Sequence, residues 1–290
     1  MFTPFKDGKV DLATFAANVE RQVAAGMDFL VPLGTTGETP TLSDDEKRAV
    51  LETAKAHAGS TPVVVGVGTN SIPGTLGNIR LLPEADAYLV VAPYYNKPPQ
   101  RGLYTYFKAI AEQTDKPVIL YNVPGRTGCN IAAETTLRLA EDVPNIVAVK
   151  EASGKRDQID EILKGRPDDF SVLSGNDDDT LYLMQHGADG VISVASNVAP
   201  AEMVRFVHAA LTGQAAQGPA AEAAWNEAEA LDERMQELFR VLFIEPNPIP
   251  GKAAMAQLGL MENSLRLPLV TATEETEAIM KQTLDNLWKK

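Results

Sequence analysis

Residues 145–154 read NIVAVKEASG: a short apolar run ends in Lys150 and is followed by an acid, a small residue and a glycine. The run has the length and the β-branched content of a buried strand. Comparable runs recur along the chain as DFLVPLG (28–34), PVVVGVG (62–68), AYLVVAP (87–93), PVILYNV (117–123), FSVLSG (170–175) and GVISVAS (190–196). Together with residues 146–151 they predict seven strands.

Segments with helical spacing separate these runs. In SDDEKRAVLETAKAHA (43–58), Ser43 stands three residues before Glu46, which is a capping-box signature at a helix start. GLYTYFKAIAEQT (102–114) and AAETTLRLAEDV (132–143) also have helical spacing. Strands that are apolar on both faces and alternate with helices indicate an α/β fold with a parallel sheet. An open doubly wound sheet and a closed (β/α)8 TIM barrel both fit this pattern.

A barrel needs an eighth strand, and residues 2–5 are the candidate for it. We interpret them as the C-terminal stub of a truncated first strand. Such a gap would expose neighbouring strand edges, so an N-terminally extended chain is expected to be more stable. Helices alone are predicted after residue 200, with an interruption at EPNPIPG (245–251). We therefore predict a barrel over residues 1–212 and a C-terminal all-helical extension over residues 213–290.

The composition narrows the class of protein. A chain of 290 residues with 44% hydrophobic content can bury a large core. The net charge of −13 argues against nucleic acid or an anionic membrane as a partner, because both would repel the chain. Its one cysteine, Cys129, cannot form an internal disulfide, and no leader or run of about 20 apolar residues is present. We expect a soluble cytoplasmic protein that acts on small molecules.

Polar residues are concentrated where the predicted strands end, and this is where barrel enzymes carry their chemistry. Lys150 stands at one of these ends. It either neutralises Glu151 or another acid, or it acts as an amine nucleophile. Desolvation disfavours the ammonium form of a lysine, and the neutral amine can attack a ketone to form an imine. The imine of a keto acid can lose a methyl proton, and the resulting enamine can attack an aldehyde without any cofactor.

Other strand ends supply candidate partners for this lysine. Tyr121, Tyr95 and Thr36 carry hydroxyls at three different ends. Each is compatible with ordinary packing, but together they form a candidate proton relay. Thr35 and Thr36 in GTTGE can present N–H groups and hydroxyls to a carboxylate, although a tight turn would use the same residues. Arg126 can hold a second carboxylate with two hydrogen bonds, or it is an ordinary surface arginine.

The sequence offers no convincing set of metal ligands. His57, His186 and His208 are dispersed and lie in predicted helical stretches, where packing or solvent exposure is the ordinary role. The acidic run 177–179 stands at a predicted helix start, so we interpret it as a cap instead of a cation site. The segments after the last two strands lack a basic residue, and a phosphorylated substrate is not expected.

These motifs together resemble the dihydrodipicolinate synthase family. They run in order over essentially the whole chain as GTTGE (34–38), YYN (94–96), YNVPGRTG (121–128), VKEASG (149–154), LSGND (173–177) and EPNPIPGK (245–252). GTTGE and the lysine are shared with the wider pyruvate-dependent aldolases, including the N-acetylneuraminate lyases, while the arginine of GRTG narrows the match. The resemblance implies a lyase that condenses pyruvate with L-aspartate 4-semialdehyde in diaminopimelate and lysine biosynthesis.

The same resemblance implies roles for individual residues. Lys150 would form the Schiff base with pyruvate, and Tyr121 would transfer protons beside it. Thr36 would link Tyr121 to Tyr95. In this family the tyrosine matching Tyr95 reaches the neighbouring subunit's site, which implies a homodimer, usually paired into a homotetramer.

The substrate contacts follow in the same way. Thr35 and Thr36 match the positions that hold the pyruvate carboxylate. Ile192 matches a residue whose backbone lies near the imine, and Arg126 matches the residue that receives the carboxylate of aspartate semialdehyde.

One departure from the family pattern concerns feedback by lysine. Sensitive relatives use histidines after GTTGE and an acid after the turn that matches GTN, whereas this chain has Asp44, Lys47 and Gly74 there. We therefore expect weak or absent inhibition. Two other functions stay open: a Schiff-base aldolase for a sugar-acid aldehyde, which Arg126 disfavours, and a catalytically silent barrel, which the intact lysine and hydroxyl set disfavours.

Overall fold

The structure, a computed structural model, describes residues 1–289. Its strands are β1 (Phe5–Lys6), β2 (Lys9–Val10), β3 (Val64–Gly66), β4 (Ala87–Val91), β5 (Val118–Asn122), β6 (Ile146–Glu151), β7 (Ser171–Ser174) and β8 (Gly190–Val191). Its helices are α1 (Leu12–Ala24), α2 (Asp44–His57), α3 (Ile72–Leu81), α4 (Gln100–Ala111), α5 (Pro124–Thr127), α6 (Ala133–Asp142), α7 (Arg156–Gly165), α8 (Thr180–Gln185), α9 (Pro200–Ala215), α10 (Pro219–Val241), α11 (Ile249–Gln257) and α12 (Glu274–Leu287).

Strands β3 to β8 form one parallel sheet in which neighbours in sequence are neighbours in space. A helix follows each of β3 to β7 before the next strand begins. Parallel strands need such crossovers, and the alternation predicted from the sequence is confirmed. The strand predicted at 146–151 has those bounds in the structure.

Two predicted strands are much shorter than the sequence suggested. Segment 28–34 forms a single parallel bridge, from Leu30 to Val63, because Pro32 lacks an N–H group and Leu33 turns to a φ of +57°. Segment 190–196 keeps only the two residues of β8 before the chain enters a 3₁₀ turn.

The proposed first-strand stub at residues 2–5 is not a strand of the parallel sheet. Phe5 pairs antiparallel with Val10 in the β1–β2 hairpin. The Met1 ammonium donates to the Val31 carbonyl at 2.7 Å, and the Phe2 N–H donates to Asn197 Oδ1 at 3.1 Å. Met1 and Phe2 therefore make hydrogen bonds outside a regular ladder, and Phe5 belongs to a hairpin.

Local capping explains where several helices begin. Ser43 Oγ accepts from the Glu46 N–H at 3.2 Å, and Glu46 Oε2 accepts from the Ser43 N–H at 2.9 Å. The predicted capping box of α2 is thus confirmed. The predicted domain boundary at 212/213 falls inside helix α9, and the division into a barrel and a helical domain stays a prediction.

The chain divides into two compact units. One contains Met1–Val63 and the segment from Ser193 onward, and the other, Val64–Ile192, contains the parallel sheet. In the first unit α9 and α10 pack closely: a Cβ on Gly213 would lie 2.7 Å from the Trp225 ring. No helix among the described residues is both long enough and apolar enough to span a membrane.

A buried ion pair ties the turn at Glu38 to helix α11 in the first unit. Lys252 Nζ lies 2.5 Å from Glu38 Oε1, and it donates to the carbonyls of Thr3 at 2.7 Å and Ser264 at 2.9 Å. Both charged side chains are completely buried. Burial lowers the pKa of Lys252 to about 8, while the Glu38 carboxylate opposes that shift. Three acceptors thus match the three N–H groups of an ammonium.

Arg266 extends this arrangement to helix α2. Its backbone N–H donates to Glu38 Oε2 at 3.0 Å, and its guanidinium donates to both carboxylate oxygens of Glu46. The hydrogen bonds from Arg266 lower the pKa of Glu46 to about 2. The cap of α2 and the Glu38 turn are therefore held by the same arginine.

We expect Lys252→Met to lower the free energy of unfolding by about 3–5 kcal/mol, because it leaves the Glu38 carboxylate buried without its partner. Urea unfolding of the wild type and the variant measures this loss. The double variant Glu38→Gln, Lys252→Met should lose less than the sum of the single losses. Lys281→Met, at an exposed ion pair with Asp285, is the control and should change stability by less than about 1 kcal/mol. Additive losses at Glu38 and Lys252 would contradict the prediction.

Candidate active site

The parallel register of β5 and β6 sets the geometry of the candidate site. Tyr121 pairs with Lys150, and Asn122 pairs with Glu151. Because successive side chains point to opposite faces of a strand, the first pair lies on one face of the sheet and the second pair on the other. Lys150 Nζ lies 4.4 Å from the centroid of the Tyr121 ring, and both side chains are buried. The structure thus brings these two predicted site residues together.

Lys150 is not the counter-ion of Glu151. Among residues 1–289, no carboxylate lies within 4.0 Å of Lys150 Nζ. The Glu151 carboxylate instead accepts from Asn122 Nδ2 at 3.0 and 3.1 Å, from the Ser153 N–H at 2.8 Å and from Gln158 Nε2 at 3.3 Å. The structural alternative for Lys150, neutralisation of Glu151, is therefore wrong. The neighbour of the Lys150 amine is the face of the Tyr121 ring, and the amine stays available for reaction with a ketone.

The Asn122–Glu151 pair is a support for this site that sequence reasoning missed. Burial raises the pKa of Glu151, and hydrogen bonds from Asn122 and Ser153 oppose the shift. Asn122 Oδ1 accepts from the Ile131 N–H at 3.0 Å. The alternation of side chains along a strand could have indicated this pair, because Asn122 directly follows Tyr121 and Glu151 directly follows Lys150. The pair ties β5 to β6 from behind Tyr121 and Lys150.

A glycine at the end of β7 leaves room for the lysine. A Cβ on Gly175 would lie 3.1 Å from Lys150 Cε and 2.6 Å from the Ala152 Cβ. The Gly175 N–H donates to the Glu151 carbonyl at 2.7 Å. Ile192, after β8, is buried, and its N–H donates to the Ser174 carbonyl at 2.9 Å. The Ile192 backbone therefore continues the same edge of the sheet.

Tyr95 is placed differently from Tyr121. The residue is 88% exposed, and its φ is +73°. Its N–H donates to the Thr127 carbonyl at 3.2 Å, which joins it to the segment that carries Arg126. Arg126 lies on the short helix α5 and is exposed. Within the described residues the Tyr95 hydroxyl makes no hydrogen bond, so this chain by itself does not connect it to the predicted relay.

Thr35 and Thr36 belong to the first unit, in a 3₁₀ turn over Thr35–Gly37. Thr35 is exposed and Thr36 is half-buried. Thr36 Oγ1 accepts a hydrogen bond from Asn247 Nδ2 at 2.9 Å. Glu38 ends the turn with a φ of +52°, which lets its carboxylate reach Lys252. Sequence reasoning did not identify Asn247, although EPNPIPGK was among its motifs.

The residues excluded as metal ligands have other partners. His57 contacts Glu20 at 2.7 Å, His208 contacts Asp28 at 3.2 Å, and His186 stacks on Tyr182. The described residues contain no group of three or more His, Cys, Asp or Glu side chains placed to hold a metal ion.

The acidic run does precede a helix, but its predicted capping role is wrong. Asp177–Asp179 form a 3₁₀ turn before α8, and neither this turn nor α8 has a side-chain cap hydrogen bond. The Asp179 carboxylate instead accepts from the Arg156 guanidinium at 3.0 Å. Asp179 thus forms an ion pair with a residue of α7 and does not cap α8.

Known proteins of one family resemble this chain in sequence and in fold. Residues 1–287 match the model of the dihydrodipicolinate synthetase family. The 4-hydroxy-tetrahydrodipicolinate synthase of Thermotoga neapolitana is 46% identical over 97% of this chain and 95% of the relative. The crystal structure of dihydrodipicolinate synthase from Thermotoga maritima superimposes with a TM-score of 0.94 at 43% identity, covering 99% of this chain and 96% of that one. The chloride-inhibited enzyme of Acinetobacter baumannii, complexed with pyruvate, gives a TM-score of 0.92 at 37% identity, with 99% and 96% covered. The chain belongs to the dihydrodipicolinate synthetase family.

Proposed function

We propose that this enzyme condenses pyruvate with L-aspartate 4-semialdehyde through a Schiff base on Lys150. The product is 4-hydroxy-tetrahydrodipicolinate, in the diaminopimelate and lysine pathway, and the reaction class is that of a lyase. The observation that carries the proposal is the Lys150 amine, which lies over the Tyr121 ring without a carboxylate partner among residues 1–289. Family membership and the names of the curated relatives support the choice of substrates.

The chemistry follows from an amine, a keto acid and an aldehyde. Lys150 attacks the ketone carbon of pyruvate, and loss of water gives an imine. The methyl group then loses a proton, and the enamine forms a carbon–carbon bond to the aldehyde of the second substrate. The amino group of that substrate can displace Lys150 from the imine, which closes the ring and restores the enzyme. Tyr121 is placed beside the amine to move the protons that these steps require.

The remaining roles are assigned from the family resemblance. Thr36 and Tyr95 complete the proton relay with Tyr121. Thr35 and Thr36 bind the carboxylate of pyruvate, and the Ile192 backbone lies near the imine. Arg126 binds the carboxylate of the aldehyde; its exposed position on α5 leaves its guanidinium accessible to a substrate. A relative whose structure is described as complexed with pyruvate supports the first substrate.

The proposal includes a homo-oligomer, a tetramer built as a dimer of dimers. Tyr95 presents its ring to solvent from a backbone with positive φ, a conformation that costs about 1–3 kcal/mol for a bulky residue. Backbone strain of this kind is found where the position of the side chain is needed for function. A second copy of the chain would supply the contact that the Tyr95 hydroxyl lacks here.

We also propose the finer architecture that the resemblance implies. The six parallel strands β3 to β8 belong to a (β/α)8 TIM barrel, and segments outside this sheet supply its remaining strands. Residues 1–212 form the barrel and residues 213–290 the C-terminal helical domain. Support comes from solved relatives that superimpose over 99% of the chain.

The reaction is tested by following consumption of L-aspartate 4-semialdehyde in the presence of pyruvate. We expect turnover by the wild type and none by Lys150→Ala, because no other amine would carry the imine. Borohydride added with pyruvate should leave a reduced adduct on Lys150 alone. Lys155→Ala removes an exposed lysine of the same segment and should keep full activity. Turnover that survives in Lys150→Ala would refute the Schiff-base mechanism.

Arg126 discriminates between the two aldehyde classes. We expect Arg126→Ala to raise the KM for aspartate semialdehyde by about tenfold or more, since a hydrogen bond to a charged group contributes about 1.5–3 kcal/mol. Trapping of pyruvate on Lys150 should change little. Arg101→Ala, at an exposed position on α4, serves as the matched control. An unchanged KM, with turnover of a sugar-acid aldehyde, would favour the alternative aldolase.

Feedback by lysine is expected to be weak or absent. Lys47 Nζ donates to Asp44 Oδ1 at 3.1 Å, so these two charges neutralise each other, and Gly74 offers no carboxylate to an amino group. Initial rates measured at rising lysine, up to millimolar concentration, should stay near the uninhibited value. A sharp fall in rate at millimolar lysine would show that the effector is bound by other residues.

A further inference from the structure

Two contacts join the turn that carries Thr36 to helix α11 and to the segment just before that helix. The first is the buried ion pair between Glu38 and Lys252. The second is the hydrogen bond from Asn247 Nδ2 to Thr36 Oγ1, at 2.9 Å across 211 positions of the sequence. The ion pair already holds the two segments together. The hydrogen bond from the Asn247 amide is a separate contact, and it acts on the Thr36 hydroxyl itself.

The Thr36 backbone needs no help from Asn247. The Gly37 N–H donates to the Gly34 carbonyl at 3.1 Å, and the Glu38 N–H donates to the Thr35 carbonyl at 3.1 Å. Thr3 Oγ1 donates to the Gly37 carbonyl at 2.8 Å. These hydrogen bonds do not determine the direction of the Thr36 hydroxyl proton. Asn247 affects that direction.

A threonine hydroxyl has one proton to donate and two lone pairs that accept. Because the Asn247 amide N–H occupies one lone pair, the Thr36 proton has to point away from Asn247. Thr36 is half-buried, so this proton has room to meet a ligand. A carboxylate only accepts hydrogen bonds and is the matching group. The second lone pair remains for a partner in a proton relay.

We infer that Asn247 is a positioning residue that orients the Thr36 hydroxyl as a hydrogen-bond donor to the carboxylate of the keto acid. The inference rests on the proposed function, because that proposal assigns Thr36 to pyruvate. Asn247 is buried and acts through Thr36 instead of touching the reacting atoms. It extends the site to the segment Glu245–Pro250, which the proposed mechanism does not otherwise use.

The test measures how much pyruvate is needed for half-maximal borohydride trapping on Lys150, a readout that does not involve the aldehyde. Asn247→Ala removes the donor, and Asn247→Asp keeps the shape but replaces the donor with an acceptor. We expect both to raise the half-saturating pyruvate concentration by about tenfold, the effect of one hydrogen bond to a charged group. Trapping at saturating pyruvate should stay near that of the wild type.

A double-mutant cycle separates positioning from general damage. In a Thr36→Val background, Asn247→Ala should shift the half-saturating concentration by less than about twofold, since the hydroxyl that it orients is gone. Asn18→Ala is the matched control, because Asn18 is another buried amide of this unit and donates to the Leu260 carbonyl. It should lower the melting temperature without altering the pyruvate dependence. Asn247→Ser takes the place of the alanine variant if that variant does not fold.

Two results would overturn the inference. One is an Asn247→Asp enzyme with the pyruvate dependence of the wild type, which would mean that Thr36 donates to Asn247. The other is an Asn247→Ala effect of equal size with and without the Thr36 hydroxyl. If the wild type traps no pyruvate on Lys150, the proposed function itself fails and the inference fails with it. If pyruvate is trapped but aspartate semialdehyde is not consumed, only the choice of aldehyde is wrong.

Discussion

The parallel register of β5 and β6 is the constraint on which the candidate site depends. A shift of β6 by one residue relative to β5 would place Lys150 and Tyr121 on different faces of the sheet. The Asn122–Glu151 hydrogen bonds act against such a shift, because these residues pair one step further along the same two strands. Glu151 would be costly to bury alone, and among its donors the Asn122 amide comes from β5 and therefore depends on this register. The hydrogen bonds between Asn122 and Glu151 on one face of the sheet thus favour the register in which Tyr121 and Lys150 meet on the other face.

In the first unit a buried ion pair fixes the position of a turn. In the sheet, hydrogen bonds between strands fix the positions of the site residues. The turn that carries Thr36 is held by its own backbone hydrogen bonds, and the ion pair at Glu38 fixes the position of that turn within the unit. Lys252 anchors the turn from helix α11, and Arg266 connects it to the cap of α2. A buried ion pair contributes little net stability compared with a well-packed apolar pair, but it penalises alternative arrangements that separate the charges. Its value here is the geometry that it imposes on GTTGE.

The sequence was informative where local chemistry decides structure. Strand β6 and the Ser43–Glu46 cap depend on neighbours in sequence, and both were predicted. The strand at 28–34 was overestimated because Pro32 and the positive φ of Leu33 interrupt a ladder that the apolar composition favours. Asn247 and Thr36 are 211 positions apart, and no local pattern connects them. The residue types of the site were therefore predictable, whereas the groups that orient them were not.

Strand geometry also explains why Lys150 does not neutralise Glu151. A lysine that neutralises an acid would need the acid on its own face of the strand. Glu151 follows Lys150 directly and consequently lies on the other face, where amide donors surround it. Tyr121 occupies the position opposite Lys150, so the amine meets an aromatic face and a nearby phenol. Adjacent lysine and glutamate residues on a strand point to opposite faces, and this geometry keeps Glu151 from pairing with Lys150.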